Sequence, residues 1–425
     1  MSIEEQPTVK QLRQQLNTLG IILRINKVLK LLGLGSKKIA EIEPKYAEIR
    51  QQIGEYTEYP RKFNVYFSDD GWLAHDSLDF EVLKRAVDEY EKKGKDKAVA
   101  ILLDHYGPDQ VSERLFFFNH VEELRIRHKL IDYALAEDRA GRHYSAVPLL
   151  LIVIDGAMND ATGKGFHATD ITLDVWDSLM VADGSIYKIK EIFQKGRKKT
   201  RTELIDMPYR NGILHGMDLG YDNPIVTAKC WCFLFVVRDW LLSKQSEAKR
   251  KKAFQEETRR HSFREITTKL AHTSRLQEAI KAWEPRSISP GYIDSVNSSS
   301  MASDGSPESV VLECLAFWKK RNYGKMAELF WTKLAENPKM YAREVRQQFE
   351  QIGVNYYSII HIDDKAPAIS EINVEVYGGN QNSNISYWTF RMIQEDENGN
   401  PVPANMAGGR WQIVSIRESK DGIEK

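Results

Sequence analysis

The spacing of apolar residues changes from a helical to a strand pattern near Tyr356, and this change constrains the fold more than any other feature. Before it, apolar residues recur every three or four positions, as in the segment from Leu78 to Lys92, which predicts helices. After it they alternate, as in Ile369 to Tyr377, which predicts strands with one buried face. The chain is therefore expected to be multidomain, with an all-α N-terminal part and an α+β C-terminal domain.

A segment rich in serine and proline, residues 284–307, lies between the two patterns. Its composition is typical of a linker. We therefore predict an N-terminal helical region at 1–110, a second helical domain at 111–283, the linker itself, and an α+β domain at 308–420.

The sequence gives three local predictions within the helical part. Residues 8–55 are expected to form two helices, the second with Ser36 as its N-cap. The short aromatic segment from Phe63 to Phe67 is expected to be extended. The segment from Tyr144 to Met158 is expected to be a strongly apolar helix.

The charge and cysteine content exclude some classes of function. With a formal net charge of zero over 425 residues, only a local patch can argue for nucleic-acid binding. Three cysteines are too few for a disulfide framework and fit a reducing cytosol. Cys230 and Cys232 are expected to be packed thiols in an apolar helix, with metal or redox chemistry as the alternative.

No part of the sequence predicts secretion or a membrane span. The acidic start does not resemble a signal peptide, and no run reaches about 18 uninterrupted apolar residues. Residues 20–34 form an apolar stretch with three basic side chains. A helix docked on the rest of the protein is expected there, with a helix lying on a membrane surface as the alternative. The predicted location is cytoplasmic.

The strongest functional signal is Met-Pro-Tyr-Arg-Asn-Gly-Ile-Leu-His-Gly-Met at 207–217. Arg210 offers a permanently charged fork for phosphate oxygens, and His215 can exchange protons near neutral pH. Together they are sufficient, without a metal, for attack of an RNA 2′-hydroxyl on the neighbouring phosphate. On an ideal helix, however, their side chains would point about 140° apart. The structural alternative is an ion-paired arginine at a helix end and a histidine that caps a turn.

The pattern Arg-Asn-x-x-x-His resembles the R-x4-H signature of the HEPN superfamily. Many of these helical proteins are metal-independent ribonucleases of bacterial toxin and phage-defence systems, and they usually act as dimers. The resemblance implies a HEPN-like fold for 111–283 and an endoribonuclease that needs no cofactor. Arg210 would stabilise the transition state, His215 would be the general base or acid, and Asn211 would position the histidine or the phosphate. The alternative is a non-catalytic module that binds nucleotides or a partner protein.

The resemblance extends upstream of the motif. An apolar helix that ends in Asp155-Gly156 looks like part of the first long helical pair in HEPN proteins of the abortive-infection type. Asp155 would orient the active-site arginine or balance its charge. The alternative is an aspartate at the end of a surface helix.

A basic run precedes the motif and is the best local candidate for binding an RNA backbone. Solvated charge runs are common, so an exposed face without a ligand is the alternative. The candidate residues are Lys195, Arg197, Lys198, Lys199 and Arg201.

The C-terminal part resembles the nuclear transport factor 2-like cone fold. Helices are predicted at 308–321, 324–331 and 341–352, before four strands that begin at Tyr356. The resemblance implies a domain that holds a small ligand or recruits a regulatory partner protein. No pair of aspartate and histidine indicates that this domain is an enzyme.

Overall fold

The computed structural model describes residues 3–31, 43–166, 173–178, 184–258, 275–299, 305–331, 338–378, 384–397 and 399–419. By its contacts the chain divides into two compact units, Met1–Arg260 and His261–Lys425. The Ser36 N-cap predicted from the sequence lies outside the described residues.

The first unit is helical apart from two short strands. Its elements are α1 (Pro7–Leu31), α2 (Glu43–Phe67), α3 (Phe80–Lys93), α4 (Lys95–His105), α5 (Pro108–Ser112), α6 (Glu122–Arg125), α7 (His128–Arg139), α8 (His143–Thr162), α9 (Ser185–Gln194), β1 (Arg201–Leu204), α10 (Arg210–Leu214), β2 (Asp218–Gly220) and α11 (Pro224–Thr258).

Helices α8 and α11 form the centre of this unit. In α11 nearly every side chain from Cys230 to Leu241 is buried, as in a helix surrounded by protein. Trp231 on α11 donates through Nε1 to Asp138 Oδ2 at 2.9 Å. Thr227 Oγ1 lies 2.9 Å from His143 Nδ1 and so connects the first turn of α11 to the start of α8. The hydrophobic cluster around these helices includes residues on both sides of position 110, where the sequence suggests a boundary.

Helix α8 agrees with the apolar helix predicted from the sequence. By length and composition it is the one helix among the described residues that is able to span a membrane. Eight of its residues are buried in the core, and core helices of soluble proteins pass the same test. The finding is therefore weak evidence for a span. One face stays exposed and carries Tyr144 and Ile152, which are 54% and 48% exposed.

A capped helix start holds the functional segment in place. Asn223 precedes Pro224 and accepts a hydrogen bond from the backbone N–H of Val226 at 3.1 Å, as an N-cap residue does. Its side-chain amide donates to the backbone oxygen of Ile205, just after β1, at 2.9 Å. Strands β1 and β2 pair in parallel, and α10 lies between them in the chain. The rigid α11 therefore anchors both ends of the segment that contains the motif.

Two local predictions from the sequence are wrong. Phe63 to Phe67 is not extended but is the last part of α2, because Phe63 and Phe67 pack against each other at 4.8 Å and are both buried. Tertiary burial at this four-residue spacing outweighs the strand propensity of aromatic residues. Residues 290–299 are not an irregular linker but form helix α12 (Pro290–Ser299). It is held because Val296 is buried and Asn297 bonds to both backbone groups of Ile359.

The second unit agrees with the predicted order of three helices and four strands. It contains α13 (Pro307–Lys319), α14 (Tyr323–Glu328), α15 (Pro338–Phe349), β3 (Tyr356–Ala366), β4 (Ile369–Gly378), β5 (Asn384–Glu395) and β6 (Arg410–Ser419). The strands form an antiparallel meander in the order β3-β4-β5-β6. Trp318 on α13 packs edge-on against Phe349 on α15 and Trp388 on β5, with ring centroids 4.6 and 5.0 Å away.

Helix α13 ends in an unusual way. The backbone N–H of Asn322 bonds to Phe317 O at 2.9 Å, and that of Arg321 bonds to Trp318 O at 2.8 Å. This is the Schellman pattern, in which the residue after the C-cap is left-handed and usually glycine. Here Arg321 holds that position with φ +54°. The left-handed conformation costs a residue with a Cβ roughly 1–2 kcal/mol.

Candidate functional site

The motif forms one short helix and its stop. Helix α10 begins at Arg210 and ends at Leu214, with His215 as the C-cap residue. Gly216 follows with φ +66°, and the backbone N–H of Met217 bonds to Gly212 O at 2.7 Å. This is again a Schellman stop, here with the expected glycine. The chain turns away only after His215, whose backbone N–H still bonds to Asn211 O at 3.2 Å as in a helix.

Arg210 and His215 line the same cleft, which has a volume of about 560 Å³. Asn211 and Arg197 line it as well, so three motif residues and one residue of the basic run come together. The lining residues are Gly196, Arg197, Arg210, Asn211, His215 and Met217.

Arg210 is held by two neighbours. Its Nη2 donates to Asp155 Oδ2 on α8 at 2.5 Å, and its Nη1 donates to Asn211 Oδ1 at 3.1 Å. Asp155 therefore contacts the arginine, as expected for a supporting acid. Asn211 orients Arg210, and within the described residues its side chain makes no hydrogen bond to His215. The Nε–H of Arg210 is buried and finds no acceptor among the described residues, which leaves a costly unused donor in the site.

His215 differs from the buried histidines of the same unit. Its side chain is exposed at the cleft. In His105, burial together with the charge of Arg114 lowers the pKa to about 3. In His120, burial together with the charge of Arg238 lowers the pKa to about 4. These two stay neutral at pH 7, whereas His215 is open to a substrate.

Arg197 is the member of the basic run that is held by a buried ion pair. Its Nε donates to Asp218 Oδ1 at 2.9 Å, with side-chain exposures of 6% and 0%. Its guanidinium lies over the Tyr209 ring at 4.2 Å, and Lys195 Nζ approaches the same ring at 4.9 Å. Buried pairing and stacking fix the direction of an arginine. The site therefore holds a second oriented guanidinium.

The rest of the basic run does not line the cleft. Lys198, Lys199 and Arg201 are exposed, and none of them is among the lining residues. They form an exposed charged face, and RNA binding by them stays a prediction.

Gly212 lies directly against the buried side chain of Asp218. A Cβ at this position would lie 1.9 Å from Asp218 Oδ2 and 2.6 Å from Asp218 Cγ, so no other residue fits without displacing that buried carboxylate. Asp218 thus packs beneath the first turn of α10 while it holds Arg197. A shift of this carboxylate would therefore disturb both Arg197, which it binds, and α10, which carries Arg210.

Sequence reasoning missed Asp218, Tyr209 and the role of Gly212. Asp218 follows the motif by three residues and gives no signal of its own, because its partner Arg197 lies on the other side of β1. The glycine inside Arg-Asn-Gly-Ile-Leu-His was a usable signal, since glycine in a helix marks a close approach or a break.

The cysteines show no sign of redox chemistry. Cys230, Cys232 and Cys314 are free and buried. Burial raises the pKa of Cys232 to about 11, so that its thiol stays protonated at neutral pH. Within the described residues, no group of three histidine, cysteine, aspartate or glutamate side chains is arranged to hold a metal ion.

Comparisons with protein-family models, with curated proteins and with solved structures give no match to this chain. The function is therefore inferred from the geometry of the site.

Proposed function

We propose that this protein is a metal-independent endoribonuclease of the HEPN type that acts in phage defence or stress response in the cytoplasm. The observation that supports this most is the shared cleft, in which an exposed histidine lies beside two oriented arginines. A phosphodiester needs this combination, since proton transfer and stabilisation of phosphate charge are the two demands of its cleavage.

In the proposed reaction, His215 takes the proton of an RNA 2′-hydroxyl. The 2′-oxygen forms a bond to phosphorus while the bond from phosphorus to the 5′-oxygen breaks, and water supplies the proton that the leaving oxygen needs. The hydroxide that remains takes the proton from His215, so that no net proton is gained or lost. Arg210 bears the negative charge that builds up on the phosphoryl oxygens. The products are a 2′,3′-cyclic phosphate and a 5′-hydroxyl.

Asp155 and Asn211 act on Arg210 rather than on the substrate. Asp155 Oδ2 lies 2.5 Å from Arg210 Nη2. Its negative charge therefore balances the positive charge of the arginine when no RNA is bound. Asn211 occupies one of the Nη1 donors. The remaining N–H groups keep the fork geometry that a phosphate accepts.

We further propose a homodimer. The exposed face of α8 carries Tyr144 and Ile152, and Leu219 on β2 is 39% exposed. Large apolar side chains on an otherwise buried helix favour contact with another protein surface. A second copy on this face would approach Asp155 and partly close the open cleft.

Two alternatives fit part of this geometry. One is a purely structural role for Arg210 and His215, and the other is a module that binds its ligand without cleaving it. Arg210 is ion-paired and His215 stands at a helix stop, as the structural alternative also expects. The second oriented arginine in the same cleft favours an anionic ligand. Binding of RNA without cleavage is the remaining alternative, and a cleavage assay distinguishes it from the proposed function.

The test is cleavage of RNA pools by the full chain in excess EDTA, with the 3′ ends analysed. We expect cleavage to persist in the chelator and to leave cyclic phosphates. A matched oligonucleotide with 2′-deoxy at the cut position should resist cleavage, because the nucleophile is missing. Loss of activity in EDTA, or cutting of the deoxy substrate, would contradict the mechanism. Binding of RNA by the protein without any cleavage would favour the non-catalytic binding module.

Arg197 is expected to contribute mainly to substrate binding. Arg197→Lys keeps the charge but loses the fork and the planar contact with Tyr209. We expect KM for RNA to rise about tenfold, which corresponds to roughly 1.4 kcal/mol, with kcat changed much less. The exposed neighbour provides the control, since Lys198→Gln should change KM less than threefold at physiological salt. Equal effects of the two variants would show that only the overall charge matters.

A further inference from the structure

A second depression, in the C-terminal unit, is lined by cations. It measures about 390 Å³ and lies where the start of α14 meets one face of α15, and this volume suits a small ligand. Three of its lining residues are arginines, and none is acidic. The lining residues are Arg321, Asn322, Tyr323, Gly324, Ala342, Arg343 and Arg346.

Arg321 stands at a backbone position that favours glycine. Its φ of +54° belongs to the left-handed region, and the Schellman hydrogen bonds fix that conformation. Glycine at this position would remove the steric strain. An arginine that persists here at a cost to stability is expected where its side chain has a function, and this guanidinium lines the depression.

The other two arginines come from α15. Arg343 and Arg346 are three residues apart, so they share one face of the helix. Within the described residues Arg343 has no carboxylate partner, and Arg346 pairs only with exposed Glu350 at 3.1 Å. An exposed pair of this kind is weak, so both guanidinium groups are available to a ligand.

Tyr323 adds an unused polar group to the wall. Its hydroxyl is buried and has no hydrogen-bond partner among the described residues. Buried hydroxyls in folded proteins are normally satisfied by protein, water or ligand. Three guanidinium forks and a hydroxyl donor around one small depression match the oxygens of linked phosphate groups.

We propose that this depression is a binding site for a small anion that carries two or more phosphates, such as a nucleoside triphosphate or an inorganic polyphosphate chain. The site shares no lining residue with the cleft at Arg210, and the proposal does not depend on ribonuclease activity. The proposed ligand class of the C-terminal unit is therefore small anions with linked phosphates.

The test is calorimetric titration of the full chain with inorganic tripolyphosphate and, separately, with ATP without metal. Arg321→Gly should weaken binding at least tenfold and, without ligand, raise the melting temperature by about 2 °C or more. These opposite signs separate loss of a binding group from damage to the fold. Tyr323→Phe should weaken binding several-fold. Lys129→Gln, which removes one exposed charge elsewhere, is the control and should leave the affinity unchanged.

Other outcomes are equally informative. Arg210→Ala alters the first cleft alone and should leave the affinity of the depression intact. Tighter binding of ATP than of tripolyphosphate would identify a nucleotide as the source of the phosphates, and equal binding would identify the phosphate chain itself. Absence of binding by either probe, unchanged binding by Arg321→Gly, or equal weakening by Lys129→Gln would overturn the proposal.

Discussion

His215→Ala is expected to reduce the rate of RNA cleavage by about 10²–10⁴-fold, the usual contribution of a general acid or base. The fold should not change, because the side chain is exposed and has no hydrogen-bond partner among the described residues. Single-turnover cleavage of a defined RNA measures the effect, with the melting temperature as the check on folding. RNA affinity should fall little, since the arginines that face the phosphate remain.

Two further variants sharpen this expected result. Arg210→Lys retains the charge but loses the fork, so we expect cleavage to fall by about 10²–10³-fold. His128→Ala is the matched control, because His128 is an exposed histidine of the same unit that, within the described part of the chain, bonds only to the backbone oxygen of Arg125 at 3.0 Å. Cleavage that survives in His215→Ala at the parent rate would remove His215 from the mechanism. Equal losses in His215→Ala and His128→Ala would indicate a nonspecific effect.

Gly212→Ala is expected to lower both cleavage and stability. The new Cβ would lie 1.9 Å from Asp218 Oδ2, and a buried carboxylate cannot yield without releasing Arg197. We expect the first turn of α10 to shift, with cleavage lowered about 10²-fold and the free energy of unfolding lowered by about 1–3 kcal/mol. Chemical denaturation and cleavage kinetics measure the two quantities.

Gly196→Ala is the matched control for this substitution. Gly196 lines the same cleft, but a Cβ there meets nothing within 4 Å. Its alanine variant should therefore keep both stability and cleavage near the parent values. A Gly212→Ala protein with parent activity would mean that Asp218 does not need its observed position beneath α10.

Much of the second unit could be predicted from the sequence because its signals are local. Alternation in Ile369 to Tyr377 identifies a strand, and the structure has β4 at Ile369–Gly378. Helix α8 was equally visible from its apolar spacing. The predictions failed where burial outweighed local preference, as at Phe63 and Phe67, whose aromatic side chains favour strands but pack as neighbours on a helix. They failed also at Pro290–Ser299, where tertiary contacts hold a helix in linker-like sequence.

By itself the sequence determined the residue types that define the candidate chemistry, Arg210, Asn211 and His215, and the glycine that ends their helix. Only the tertiary structure decided that the arginine and the histidine line one cleft. It also decided that Asp155 reaches Arg210 and that Asp218 orients Arg197. The physical reason is the distance along the chain between the residues that interact. Helix stops and strand alternation depend on neighbouring residues. Buried ion pairs between distant segments arise only when α8, β2 and α11 pack together.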